Sequence, residues 1–307
     1  MLVDRGKHLG DSWYLVHGAT IHCYYLVCPD TVERHTAWDI AHATSRDLET
    51  WTLHGVVVER GAPGAWDEGC LATGSVIRTS DRYLMAYSAL KDSVDVATGL
   101  AVSDDLMEWQ RLGDGPATKA GRPYAMNRSG TDRPPPNWRD PFLRYDGPDL
   151  VQLIAASRSD RPEDASGTVG VVRQDEAGIW QREPPLEVEA VARELECPQV
   201  RHIDGKWFLI FSAFPALFSD EIRGRYGRQL RLGTYTMVGE SPHGPFRFEQ
   251  PEPIVPADHP DQLYAGQVLN VGGRVYLVGT VWRDDAPDYL NTPIPLERIG
   301  NRLEVAS

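Results

Sequence analysis

The chain has 307 residues, enough to bury a substantial core, and its 41% apolar and 24% charged content excludes disordered and fibrous classes. Acidic residues outnumber basic ones by 44 to 31, and the net charge of −13 repels a phosphate backbone, which argues against nucleic acid as a partner. No run of roughly 18 apolar residues occurs, and the N-terminal segment from Met1 to Trp13 carries charges where an export signal needs an apolar stretch. No membrane association is therefore expected. Four cysteines in so long a chain form no disulfide framework: Cys23 and Cys28 fall on opposite faces of one strand, and Cys70 and Cys197 are isolated. Reduced thiols and a cytoplasmic location are expected.

The 28 Gly and 23 Pro punctuate the chain in the manner of short strands joined by turns. In chain order, a short segment, a Gly- or Asp-containing turn and an apolar strand recur five times. They read GDSWYLVHGATIHCYYLV from Gly10, ATGSVIRTSDRYLMAYSAL from Ala72, RDPFLRYDGPDLVQLIAAS from Arg139, ECPQVRHIDGKWFLIFSAF from Glu196 and AGQVLNVGGRVYLVGTVW from Ala265. Counted from Asp11, Ala72, Asp140, Glu196 and Ala265, the spacings are 61, 68, 56 and 69 residues. A second repeat, ATSRDLETW (Ala43 to Trp51) and AVSDDLMEW (Ala101 to Trp109), recurs at 58 residues. Periods of this length with strand-like content point to propeller blades. Each unit supplies a hairpin with alternating apolar positions, as in Trp207, Leu209 and Phe211, followed by two outer strands. An all-β, single five-bladed β-propeller over residues 1–307 is expected, with the first strand of every blade lining the central channel.

Three of the five starting points carry a carboxylate: Asp11, Asp140 and Glu196. An Asp near a strand end is often a turn former. Three acids at matching blade positions point instead to a site, because glycosyl transfer to water needs a carboxylate cluster.

These motifs resemble those of the five-bladed propeller glycosidases, in particular glycoside hydrolase family 32 and its relatives in families 43 and 68. The first-blade segment resembles the one holding the nucleophilic Asp, AWDIAHATSRDLETW the Trp-Gly-His-Ala stretch, and WDEGCLATGSVI the Asp-Gly-Phe-Ser-Gly-Ser segment. WRDPF carries Arg-Asp-Pro, ECP the Glu-Cys-Pro motif and YAGQV the fifth-blade Tyr-Ala-x-Gln. In the first blade the chain departs from Asn-Asp-Pro-Asn, since Gly10 precedes Asp11 and Ser12-Trp13 follow. The usual C-terminal β-sandwich is not expected within these 307 residues. The resemblance implies that Asp11 is the nucleophile, Glu196 the acid and then base, and Asp140 the transition-state stabiliser. One carboxylate must be ionised to attack while another holds a proton for the leaving oxygen.

Arg139, Trp66, Asp67, Ser75, Tyr264 and Gln267 are the candidate substrate-binding residues. Arg139 should point away from Asp140 if the strand alternates, and either braces a pocket carboxylate or forms a blade-to-blade salt bridge. Trp66 and Asp67 read as a pocket rim or as an ordinary turn. Tyr264 and Gln267 could each hydrogen-bond a sugar. Cys197 and His42 read as core residues, His42 satisfied by hydrogen bonds, and Trp51 and Trp109 as packing between blades. The segment Thr131 to Trp138 is a stiff, proline-rich approach to the third blade. The nine histidines show no metal-ligand spacing and no phosphate loop occurs, so neither a metal nor a cofactor is expected. The expected partner is a small carbohydrate, and the oligomeric state leaves no signature in the sequence. The leading expectation is a retaining, exo-acting furanosidase of the β-fructofuranosidase kind. Its rivals are an inverting, family 43-like arabinofuranosidase or xylosidase, and a carbohydrate-binding propeller without catalysis.

Overall fold

The computed structural model describes residues 1–91, 96–126, 137–281 and 287–306. Its strands form five sheets, one for each unit of the sequence. Blade 1 holds β1 (Lys7–His17), β2 (Thr20–Pro29), β3 (Asp39–Ser45) and β4 (Trp51–Val58). Blade 2 holds β5 (Cys70–Arg78), β6 (Tyr83–Leu90), β7 (Val96–Ser103), β8 (Gln110–Arg111) and β9 (Thr118–Lys119). Blade 3 holds β10 (Trp138–Asp146), β11 (Asp149–Ser157), β12 (Gly167–Gln174) and β13 (Trp180–Glu183). Blade 4 holds β14 (Glu196–Ile203), β15 (Lys206–Ala213) and β16 (Gly233–Gly239), with helix α1 (Asp220–Tyr226) between the last two. Blade 5 holds β17 (Tyr264–Val271), β18 (Arg274–Val281), β19 (Tyr289–Leu290), β20 (Ile294–Ile299) and β21 (Arg302–Val305). The first strand of each blade is an edge of its sheet, and these edges contact one another in sequence around a closed ring. Blade 4 departs from the expected pattern of two outer strands. Its third strand ends the sheet, and only an isolated bridge between Val238 and Arg247 continues it. Thr131 to Pro136 lie outside the described residues, and the buried Asn137 and Trp138 follow them.

The two-residue period of a strand explains where the core lies. Leu209 and Phe211 of β15 pack towards blade 3, whereas Phe208 and Ile210 of the same strand pack towards blade 5. Apolar clusters of this kind fill the spaces between all five neighbouring pairs of blades. Both faces of most blades are therefore buried, which is why β2, β6 and β11 are mostly apolar along their length and do not alternate with exposed polar positions.

The nine-residue repeat is a turn with a physical logic. Ser45 Oγ accepts the amides of Asp47 and Leu48, Asp47 Oδ1 accepts those of Glu49 and Thr50, and Ser103 and Asp105 do the same one blade later. Leu48 and Leu106 take the left-handed conformation at φ 64° and 69°, and both are buried. The Trp51 and Trp109 indoles return to the Leu48 and Leu106 carbonyls. Trp109 also meets Tyr24 of blade 1 edge-on at 5.4 Å, and Trp51 packs into the cluster between blades 1 and 5. The N-terminal segment seals the ring. Leu2 bridges Leu290, and the buried Asp288 accepts from His8, the Leu9 amide and Arg34.

Every inner strand breaks register at the same level: Gly10-Asp11 in β1, Thr73 in β5, Asp140-Pro141 in β10, Cys197-Pro198 in β14 and Ala265-Gly266 in β17. Asp140, Cys197 and Ala265 occupy the first bulge position at φ 58°, 52° and 51°. This register corrects the alignment expected from spacing alone. Asp140 matches Cys197, Glu196 matches Arg139 and Tyr264, and Asp11 matches Pro141, so the three acids occupy three successive levels of one bulge. The bulge also overturns the expectation that Arg139 and Asp140 point apart. Without strict alternation, their side chains approach to 3.8 Å.

Candidate active site

The five bulges bring their side chains together at the start of the inner strands. Asp140 Oδ2 accepts the Cys197 amide at 2.9 Å, a hydrogen bond that the left-handed turn at Cys197 directs across from blade 4. The Asp140 amide in turn donates to Ser88 Oγ at 2.7 Å, and Ser88 donates to the Thr73 carbonyl. Asp11 accepts a short hydrogen bond from Thr73 Oγ1, and its Oδ2 lies 3.6 Å from Cys197 Sγ. Cys197 thus touches both aspartates. Arg139 crosses from blade 3 to blade 4, where one guanidinium nitrogen donates to Glu194 at 2.6 Å and to Glu196 at 2.7 Å. It is at once the blade-to-blade salt bridge and the brace. Tyr264 of blade 5 donates to the other Glu196 oxygen.

Burial sets the protonation states. The Asp11 carboxyl is raised to about 6, chiefly by burial and in part by the neighbouring Asp140, against the hydrogen bonds from Thr73 and Cys197. Burial also raises Asp140, although Arg139 and the Cys197 donors oppose it. Glu196 is held well above the ordinary carboxylate range by burial and by the anions Glu194 and Asp140, which outweigh Arg139. Burial would raise Glu194 too, yet the Arg139 guanidinium and a hydrogen bond with Glu196 bring it below the ordinary range. The two glutamates behave as one unit that holds a proton on Glu196 and a charge on Glu194.

Arg139 and Tyr264 therefore join the acids, while other expected contacts lie elsewhere. Ser75 is buried and uses its hydroxyl to lace blades 2 and 3, donating to the Pro141 carbonyl and accepting the Leu143 amide. Asp67 is buried and held by Arg111 of β8 at 2.9 Å and by Tyr87, and Trp66 stacks on Tyr87. Both belong to the seam beside blade 2, and no hydrogen bond among the described residues joins them to the cluster. Gln267 is buried on β17 next to its bulge, whereas Gln199, at the matching position of β14, laces blade 5. His42 is buried with Nε2 3.0 Å from His22, but Nδ1 has no partner among the described residues, so the expected satisfaction is only half met. Thr73, Ser88 and Glu194 were not expected at the site. Glu194 was nevertheless visible in principle, because residues two apart on an extended segment share a face.

Comparison with known proteins accords with this geometry. The family described as glycosyl hydrolases family 32 N-terminal domain matches residues 13–294, a range that contains Asp140 and Glu196 and begins two residues after Asp11. No curated protein matches the chain in sequence. Among solved structures, inulosucrase from Halalkalicoccus jeotgali bound to kestose superposes with a TM-score of 0.75 at 20% identity, over 98% of this chain and 87% of that one. Sucrose-6-phosphate hydrolase from Lactobacillus gasseri gives 0.74 at 18% identity, over 97% of this chain and 61% of that one. A thermostable family-43 glycoside hydrolase gives 0.71 at 16% identity, over 99% and 95%. At these identities the superpositions establish the five-bladed fold, and the family match over most of the chain establishes the rest: this chain belongs to glycosyl hydrolase family 32 and is a glycosidase.

Proposed function

We propose that residues 1–307 form one catalytic propeller, a retaining, exo-acting furanosidase that acts on β-fructofuranosides. The observation that carries this reading is the split between two part-buried carboxyls at the levels on either side of Asp140. Asp11 ionises near 6, whereas Glu196 keeps its proton with the help of Glu194. In the first step the Asp11 carboxylate attacks the anomeric carbon. The glycosidic oxygen takes the Glu196 proton and departs as the alcohol, leaving an ester between sugar and Asp11. In the second step Glu196 removes a proton from water, which attacks the same carbon, releases the sugar and restores Asp11. Asp140, oriented by the Cys197 amide, hydrogen-bonds sugar hydroxyls as the ring gains positive charge.

The position of the carboxylates among the inner strands supports removal of a terminal sugar. A site that only binds sugar has no need of a protonated glutamate, which argues against the non-catalytic alternative. The inulosucrase and the sucrose-6-phosphate hydrolase among the similar structures favour a fructosyl substrate. The four free thiols support a cytoplasmic setting, and among the described residues no helix is long and apolar enough to cross a membrane. Carbon-13 NMR at C2 of the first-formed product from an aryl β-fructofuranoside tests the reading. It predicts the β-anomer before mutarotation. The α-anomer would assign an inverting mechanism instead.

A further inference from the structure

Phe214 follows β15 on the same end of the propeller as the acid, because β15 runs antiparallel to β14 and Ser212 pairs with Glu196. Its ring centroid lies 4.6 Å from that of Tyr264, the residue that donates to Glu196. Tyr264 is 5% exposed, whereas Phe214 above it is 38% exposed. Leu232 packs on the same group, against Cys197, Tyr264 and Ala265. The segment is fixed in place: the Leu217 amide donates to the Phe214 carbonyl, the Arg193 amide to Leu217, and the Ser219 amide to Val191. A partly exposed aromatic side chain is thus held one residue away from the proton donor.

A general acid gives its proton to the glycosidic oxygen, so the departing group lies on the Glu196 side of the scissile bond. We propose that Phe214, backed by Tyr264 and Leu232, is the platform on which the leaving group stacks, and that it selects neutral leaving groups with an aromatic ring or an apolar sugar face. This rests on the reading of Glu196 as the acid. A ring stacked there buries apolar surface on both partners without needing a charged contact. Among the described residues, the cation hydrogen-bonded to the acid is Arg139, and it already serves two carboxylates.

The test compares methyl and benzyl β-fructofuranosides, whose leaving groups have nearly equal basicity and differ in the ring. The wild-type protein should favour the benzyl substrate about tenfold in kcat/KM, mostly through KM, equivalent to about 1.4 kcal/mol. Phe214→Ala should bring benzyl down to the methyl level and leave methyl within about twofold, while Phe214→Trp should keep the preference. Equal losses on both substrates, or a preference that survives Phe214→Ala, would overturn the platform. Turnover of methyl with no preference for benzyl would strike this inference alone. Turnover of neither by the wild type would remove the furanosidase reading and this inference together.

Discussion

Replacing Glu194 by Gln should move the alkaline limb of the pH–rate profile towards acid. Glu194 and Glu196 each place an oxygen within 2.7 Å of one Arg139 nitrogen, so the two carboxylates lie within about 5 Å of each other. At an effective dielectric near 20, two charges about 5 Å apart repel by about 3 kcal/mol, worth about two pH units. The amide removes that repulsion and ends the ion pair between Arg139 and Glu194, while Arg139 keeps its contacts with Glu196 and Asp140. Both changes favour the ionised form of Glu196, so the acid loses its proton at lower pH. Turnover needs Glu196 protonated, and activity falls as pH rises through its raised pKa. Because kcat/KM reports the free protein, its pH dependence on an alkyl fructofuranoside is the right assay. The wild type should lose activity below about 6, where Asp11 takes a proton, and again on the alkaline side. Glu194→Gln should leave the acid limb in place and shift the alkaline limb down by one to two pH units. An alkaline limb that stays fixed or moves upward would refute the view that Glu194 holds the proton on Glu196.

Glu196→Gln should abolish activity on alkyl fructosides, with a loss of about 10²–10⁴-fold, yet retain part of it on activated aryl fructosides, which need little proton donation. Steady-state kinetics on the two substrates check this, and equal losses would count against Glu196 as the acid. Asp288→Ala removes the buried carboxylate that ties His8, the Leu9 amide and Arg34 across the closure between blades 5 and 1. It should cost about 3–5 kcal/mol in urea denaturation, the range for breaking a buried charge pair, and a loss under about 1 kcal/mol would show that the closure does not depend on it.

The blades were legible because each inner hairpin has a turn of its own and a strongly apolar second strand, and because the Ser-x-Asp-Leu turn repeats between the third and fourth strands of blades 1 and 2. The acids were legible because Arg-Asp-Pro and Glu-Cys-Pro survive as short motifs. Their relative register was not. A bulge inserts one residue without leaving a mark in composition, so aligning Asp140 with Glu196 looked natural although Asp140 matches Cys197. Glu194 escaped because its importance comes from Arg139, which lies 55 residues away and meets it only when blades 3 and 4 pack. Ser75 misled for the related reason that a small polar residue on an inner strand serves a neighbouring backbone as readily as a sugar. Asp67 looked like a rim acid because its partner, Arg111, sits 44 residues downstream on an outer strand.

If Asp11 is the nucleophile, it forms a covalent bond to the sugar, and that bond can be trapped. Asp11 accepts from Thr73 and touches Cys197 at the base of the cluster, and an amide there could not supply the attacking charge. Incubation with a slow-leaving fluorinated fructofuranoside, followed by peptide mass spectrometry, should find one adduct on the peptide that contains Asp11. Asp11→Asn should form no adduct and lose several orders of magnitude in turnover while remaining folded. An adduct on any other carboxylate, or more than about a tenth of the activity left in Asp11→Asn, a barrier change under ~1.4 kcal/mol, would contradict the account.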